Sequence, residues 1–92
     1  MGMQTDILAA SLAASGTAFA GRTRVRGALI EPSGSAGSVV FKDGGASGTT
    51  KFTVNTSANG ETFSVVIPAD GVLFATDVYV ALTNAKVTVF YA

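Results

Sequence analysis

From Arg22 onward the chain alternates apolar and polar residues with a period of two, the pattern of a strand with one face buried. Thr23, Val25, Gly27 and Leu29 alternate with Arg22, Arg24, Arg26 and Ala28. Glu31-Pro32-Ser33-Gly34 ends that run, because proline lacks a donor and restricts the residue before it. Val39–Lys42 reads as the next strand, Asp43–Gly48 as a turn-rich loop, and Thr49–Asn55 as a returning strand with Phe52 and Val54 on one face. Asn59-Gly60 and Pro68-Ala69-Asp70-Gly71 supply turns on either side of a strand whose inward residues are Phe63, Val65 and Ile67. Val72–Ala75 and Val78–Leu82 follow, read as one strand kinked at Thr76-Asp77. Thr83-Asn84-Ala85 reads as a short hairpin, and Lys86–Tyr91 carries Val87, Val89 and Tyr91 on one face. Val78-Tyr79-Val80-Ala81-Leu82 is apolar on both faces, which predicts a central position covered on both sides.

Residues 1–20 are rich in Ala, Ser and Thr and carry no sustained helical stripe. They predict an extended N-terminal arm (1–20) ahead of a domain over 21–92. Ile7–Ala20 imitates a signal peptide with Ala18-Phe19-Ala20 as its cleavage site. Asp6 stands where positive charge belongs, so the segment reads as mature sequence. The fold class expected is all-β: a small antiparallel β-sandwich or jelly-roll-like barrel of six to eight strands.

Composition sharpens the picture. In 92 residues only 13% are charged, against about 25% in an average soluble domain. Apolar residues make up 48%, net charge is zero, and mean hydropathy is +0.45. A lone soluble domain usually carries a mixed-charge surface and a net charge of about 2–8. An outer surface of Ala, Gly, Ser and Thr predicts cover by copies of the chain or by a partner. No run of about 18 apolar residues exists to form a membrane-spanning helix.

The chain has no His and no Cys, which removes imidazole acid–base chemistry, thiol nucleophiles, disulfides and Cys/His zinc sites. Nothing pairs a Ser with a Lys. Asp43, Asp70 and Asp77 sit in turn contexts, where Asp serves local hydrogen bonding better than paired-carboxylate catalysis. Gly44-Gly45-Ala46-Ser47-Gly48-Thr49-Thr50 resembles a phosphate loop superficially but lacks its Lys and a following helix, so a hairpin loop is expected. Asn55-Thr56-Ser57 fits a glycosylation sequon, which matters only in a secreted eukaryotic protein. The expectation is a non-catalytic protein with no cofactor and no metal.

One charge pattern stands out. Arg22, Arg24 and Arg26 are spaced by two, which puts their guanidinium groups on one face of one strand, about 7 Å apart. Such a row calls for carboxylates, phosphates or water. The two readings are an interface with an acidic partner surface and a solvated edge strand guarded by charge. Three arginines on a neutral chain give little counterion release, so nucleic acid is not an expected partner.

Arg22–Glu31, Ser35–Gly45, Gly71–Phe74, Val78–Val80, Leu82-Thr83 and Val87–Tyr91 together resemble a group of small, mostly uncharacterised proteins of marine tailed phages. The resemblance covers most of the chain after residue 20 and carries over no functional residue. It implies a virion surface role: a capsid decoration, cement or knob subunit. The combined expectation is a homo-oligomer, most simply a trimer, bound to a major capsid protein in the virion. The alternative is a host-receptor or glycan-binding module of a phage tail or fibre. Tyr79 and Tyr91, both in strands, and the lack of Trp weaken that alternative. A secreted lectin-like or adhesion domain follows only if the chain is cleaved after Ala20.

Overall fold

The computed structural model describes residues 8–58, 60–67 and 71–92. Among them there is no helix; the strands are β1 (Leu8–Leu12), β2 (Gly16–Ala20), β3 (Thr23–Pro32), β4 (Gly37–Asp43), β5 (Thr49–Thr56), β6 (Phe63–Val66), β7 (Val72–Phe74), β8 (Asp77–Thr83) and β9 (Ala85–Tyr91). They form two antiparallel sheets. The first, sheet A, runs β1-β9-β3-β6, with β7 following β6 along the same side of β3; sheet B runs β2-β8-β4-β5. With β6 and β7 taken as one broken strand, each sheet has four positions and the chain crosses between sheets at almost every connection. That order is a jelly roll, one of the two architectures the sequence pattern allows.

The core lies between the sheets. Sheet A contributes Val25, Ala28, Ile30, Phe74, Val87, Val89 and Tyr91; sheet B contributes Val39, Phe41, Val78 and Val80. The β-branched residues fit the pleated surface, and each large side chain fully buried stabilises the fold by roughly 1.5–3 kcal/mol. Phe41 stacks on Phe52 of the neighbouring strand, ring centroids 4.3 Å apart. Phe19 on β2 meets Tyr91 on β9 at 4.9 Å and so ties the edge of sheet B to sheet A. The inward residues expected on β5, β6 and β9 all pack on this core.

Four expectations need correction. On β3, Val25 pairs with Tyr91 and Gly27 with Phe90, so Arg26 is the extra residue of a β-bulge. The bulge shifts the phase by one: Thr23 and Val25 point inward before it, Ala28 and Ile30 after it, and Leu29 points out. Residues 8–20 are extended as expected, but they pair with β9 and β8 of their own chain and belong to the sandwich. Residues 1–7 of the expected arm lie outside the described residues, as do Asn59 and 68–70 of the two expected turns. Thr83-Asn84-Ala85 is an arch, not a hairpin, because β8 lies in sheet B and β9 in sheet A. Asn84 adopts φ 50° there, and its carbonyl accepts both the backbone N–H and the hydroxyl of Ser33. Finally, β7 and β8 lie in different sheets and are not one kinked strand.

Candidate interaction surface

The outer face of sheet A is organised by its two inner strands, β3 and β9. Arg24 and Ala92 exchange both backbone hydrogen bonds, at 3.3 and 3.0 Å, and Arg24 pairs with Leu73 of β7 on its other side. Arg24 therefore sits inside the sheet. A strand hydrogen-bonded on both sides needs no charge to deter edge pairing, so the solvated-edge reading loses its premise at this residue.

The three arginines do not form one regular row. Arg22 is exposed and precedes β3; Arg24 lies on the outward phase, between buried Thr23 and Val25; Arg26 occupies the bulge. The Nε of Arg26 is buried and has no hydrogen-bond partner among the described residues. Arg24 and Arg26 thus lie at the same end of sheet A, Arg26 at the bulge, and Arg22 is off the ladder.

Next to them lies what the arginine spacing did not reveal. Phe90 stands opposite Gly27 and is 36% exposed; Leu29, opposite Thr88, is exposed to the same degree. Gly27 leaves the ring nothing to compete with across the strand pair, and a Cβ there would come within 3.0 Å of the Val65 carbonyl oxygen. Farther along, Thr88 shares a 2.9 Å hydroxyl–hydroxyl hydrogen bond with Ser11 of β1, and Glu31 stands opposite Lys86. The face runs from a cationic end, through a half-exposed apolar centre, to a mixed-charge end. Sequence held a signal for Phe90: it falls on the opposite phase to Val87, Val89 and Tyr91.

The outer face of sheet B differs. Thr17, Tyr79, Ala81, Val40, Ser38, Thr83, Thr53 and Asn55 occupy its outward phase, and Lys42 and Asp77 are engaged within the chain. Lys42 donates to the Ala46 carbonyl at 3.0 Å, and the Asp77 carboxylate accepts from two backbone N–H groups. β8 is central, as expected, yet no strand or helix among the described residues covers its outward side.

At the end of the sandwich where the β1–β2 and β8–β9 arches lie side by side, a groove of about 530 Å³ is lined by residues including Ser15, Ser33, Leu82, Asn84 and Lys86. Among the described residues, its lining carries no aromatic ring on which a sugar could stack. Among the described residues no three acids cluster as a metal site would require, and no helix is long and apolar enough to cross a membrane. No family model, curated protein or solved structure matches this chain.

Proposed function

We propose that this chain is a non-enzymatic structural subunit of a virion surface, a decoration, cement or knob protein that self-associates and docks on the major capsid protein. The observation that carries the reading is the half-exposed Phe90–Leu29 centre beside Arg24 and Arg26, on an inner strand pair of a jelly roll with very few charges. Aromatic and arginine side chains are the residue types that dominate binding energy at protein interfaces. An arginine pair beside an apolar patch suits a partner that offers carboxylates around an apolar contact. The mechanism is mechanical: weak contacts repeated by symmetry stiffen a shell through avidity. The virion setting of this reading rests on the resemblance to marine tailed-phage proteins. The test is mass spectrometry of purified phage particles together with surface labelling by an antibody to this chain. Recovery in particles at many copies supports the reading; recovery only in the particle-free fraction overturns it.

A further inference from the structure

A jelly roll leaves sheet edges open, and an open edge invites pairing with another chain. Three edges here carry devices that discourage it. β5 has an exposed Lys51 as the extra residue of a bulge. β2 is irregular at Ala18. The β6–β7 edge is split into strands of four and three residues. β1 has none of these. Leu8-Ala9-Ala10-Ser11-Leu12 is uncharged, pairs with β9 in unbroken register, and has no strand on its other side among the described residues. Leu8 is the most exposed large apolar residue described, at 53%.

The polarity of that edge follows from the ladder. Because Arg24 and Ala92 are a hydrogen-bonded pair, Ala92 and its even-numbered neighbours on β9 direct their backbone groups toward β3. Tyr91, Val89 and Val87 then direct theirs toward Leu8, Ala10 and Leu12. The N–H and C=O groups of Ala9 and Ser11 are left facing the open edge.

We propose that β1 is a self-pairing edge: two copies join their β1 strands antiparallel about a two-fold axis at Ala10, making one continuous sheet from two five-stranded ones. The strand is nearly palindromic, and this is what selects a second copy over another partner. Centred on Ala10, Leu8 lies opposite Leu12 of the second copy and Ala9 opposite Ser11. Every inward apolar residue then meets an inward apolar residue, and Leu8 is covered. Ala9 and Ser11, the residues with free backbone groups, become the hydrogen-bonded pairs. Such an interface is isologous and closes on itself. It yields a pair where composition alone suggested a trimer. The inference names a contact for the self-association in the virion reading, but particle mass spectrometry and the test below fail independently of each other.

The test is sedimentation equilibrium of the full chain with its Ala9→Pro variant, plus residue-resolved amide exchange. Proline at Ala9 removes an N–H that points away from β9, so the monomer fold is spared. The expected result is a wild-type dimer whose dissociation constant rises at least about tenfold in A9P. The Ala9 and Ser11 amides should gain protection with concentration, while those of Leu8, Ala10 and Leu12 stay protected throughout. Should A9P misfold, Leu8→Lys puts a charge against Leu12 of the second copy at a position already half exposed, and the same loss is expected. A wild-type chain monomeric at hundreds of micromolar overturns the proposal. So does an oligomer unaffected by both variants, or Ala9 and Ser11 amides that exchange freely in the dimer.

Discussion

Asp43 and Asp77 each hold the loop that carries the other. The Asp43 carboxylate accepts the backbone N–H groups of Ala75 at 3.0 Å, Thr76 at 2.8 Å and Asp77 at 3.3 Å. The Asp77 carboxylate accepts those of Gly44 at 2.9 Å and Gly45 at 3.0 Å. The clasp fixes the crossing from β7 in sheet A to β8 in sheet B against the end of β4. Asp77→Ala is expected to cost about 1 kcal/mol, as for loss of a helix-capping side chain, or about 4–8 °C in Tm. Asp43→Ala should lower Tm further, because it releases more N–H groups. Both variants break one joint, so the double variant should lose less than the sum, which thermal melts of all three will show.

The clasp also sets an acid limb. The Ala75 N–H, followed by that of Thr76, holds the Asp43 carboxyl below its ordinary value of 3.8. A carboxylate whose pKa is lowered by folding adds stability that is complete above the unfolded value and is lost as pH falls through the folded one. Denaturant midpoints between pH 5 and pH 2 should therefore fall for the wild type. Asp43→Asn should start lower at pH 5 and fall less steeply below pH 4. Equal slopes for the two proteins would mean that Asp43 does not carry this term.

Much of this architecture is written locally. Phe52 and Val54, Phe63 and Val65, and Val87, Val89 and Tyr91 announce their buried face by simple alternation. The face of β3 after Arg26 is not announced, because a bulge depends on how β9 pairs with it. Had the step from Val25 to Ala28 and Ile30 been read as a phase shift, Leu29 would have appeared on the outside. β1 and β2 were hidden for another reason: alternation among Ala, Ser and Thr has little amplitude. The arches were illegible because Thr83-Asn84-Ala85 specifies a turn but not the sheet that receives the next strand. The arginine spacing drew attention to the end of sheet A where Arg24 and Arg26 lie. Its apolar neighbours, Phe90 and Leu29, needed the register. Turn-type aspartates were expected at Asp43 and Asp77, but their partners lie more than thirty residues away in sequence.

Two glycines should respond oppositely to alanine. Gly71 has φ 87°, and a Cβ there would run into the Val25 carbonyl. Gly71→Ala is expected to cost about 2 kcal/mol or more, through backbone strain and displacement of β7 from β3. Gly34 has no heavy atom within 4 Å of an added Cβ and does not require a left-handed backbone. Gly34→Ala should be neutral or stabilise by up to about 1 kcal/mol, because it restricts the unfolded chain. Urea midpoints of the two variants will separate these outcomes.

The outer face of sheet A can be divided into its electrostatic and apolar parts by two substitutions. Arg24 lies on an inner strand and presents its charge outward, so Arg24→Glu leaves the core untouched and should shift Tm little. If the proposed virion role holds and Arg24 meets carboxylates on the capsid surface, the exchange places like charges together, which costs several kcal/mol, well beyond the 0–1 kcal/mol or so of an exposed pair. Binding to particles stripped of this chain should then weaken by more than about a hundredfold for R24E. For the wild type it should weaken as salt rises, since mobile ions screen an exposed charge contact and shorten the Debye length below about 10 Å above 0.1 M. Phe90→Ser removes a ring that is 36% exposed and should also reduce binding, but by a similar factor at low and high salt. R24E binding like the wild type at both salt concentrations would take the arginines out of the contact and leave Phe90 and Leu29 as its apolar basis. Unchanged binding by both variants would move the contact off sheet A, and the outer face of sheet B, with Tyr79 and Val40 on its outward phase, would be the surface to probe next.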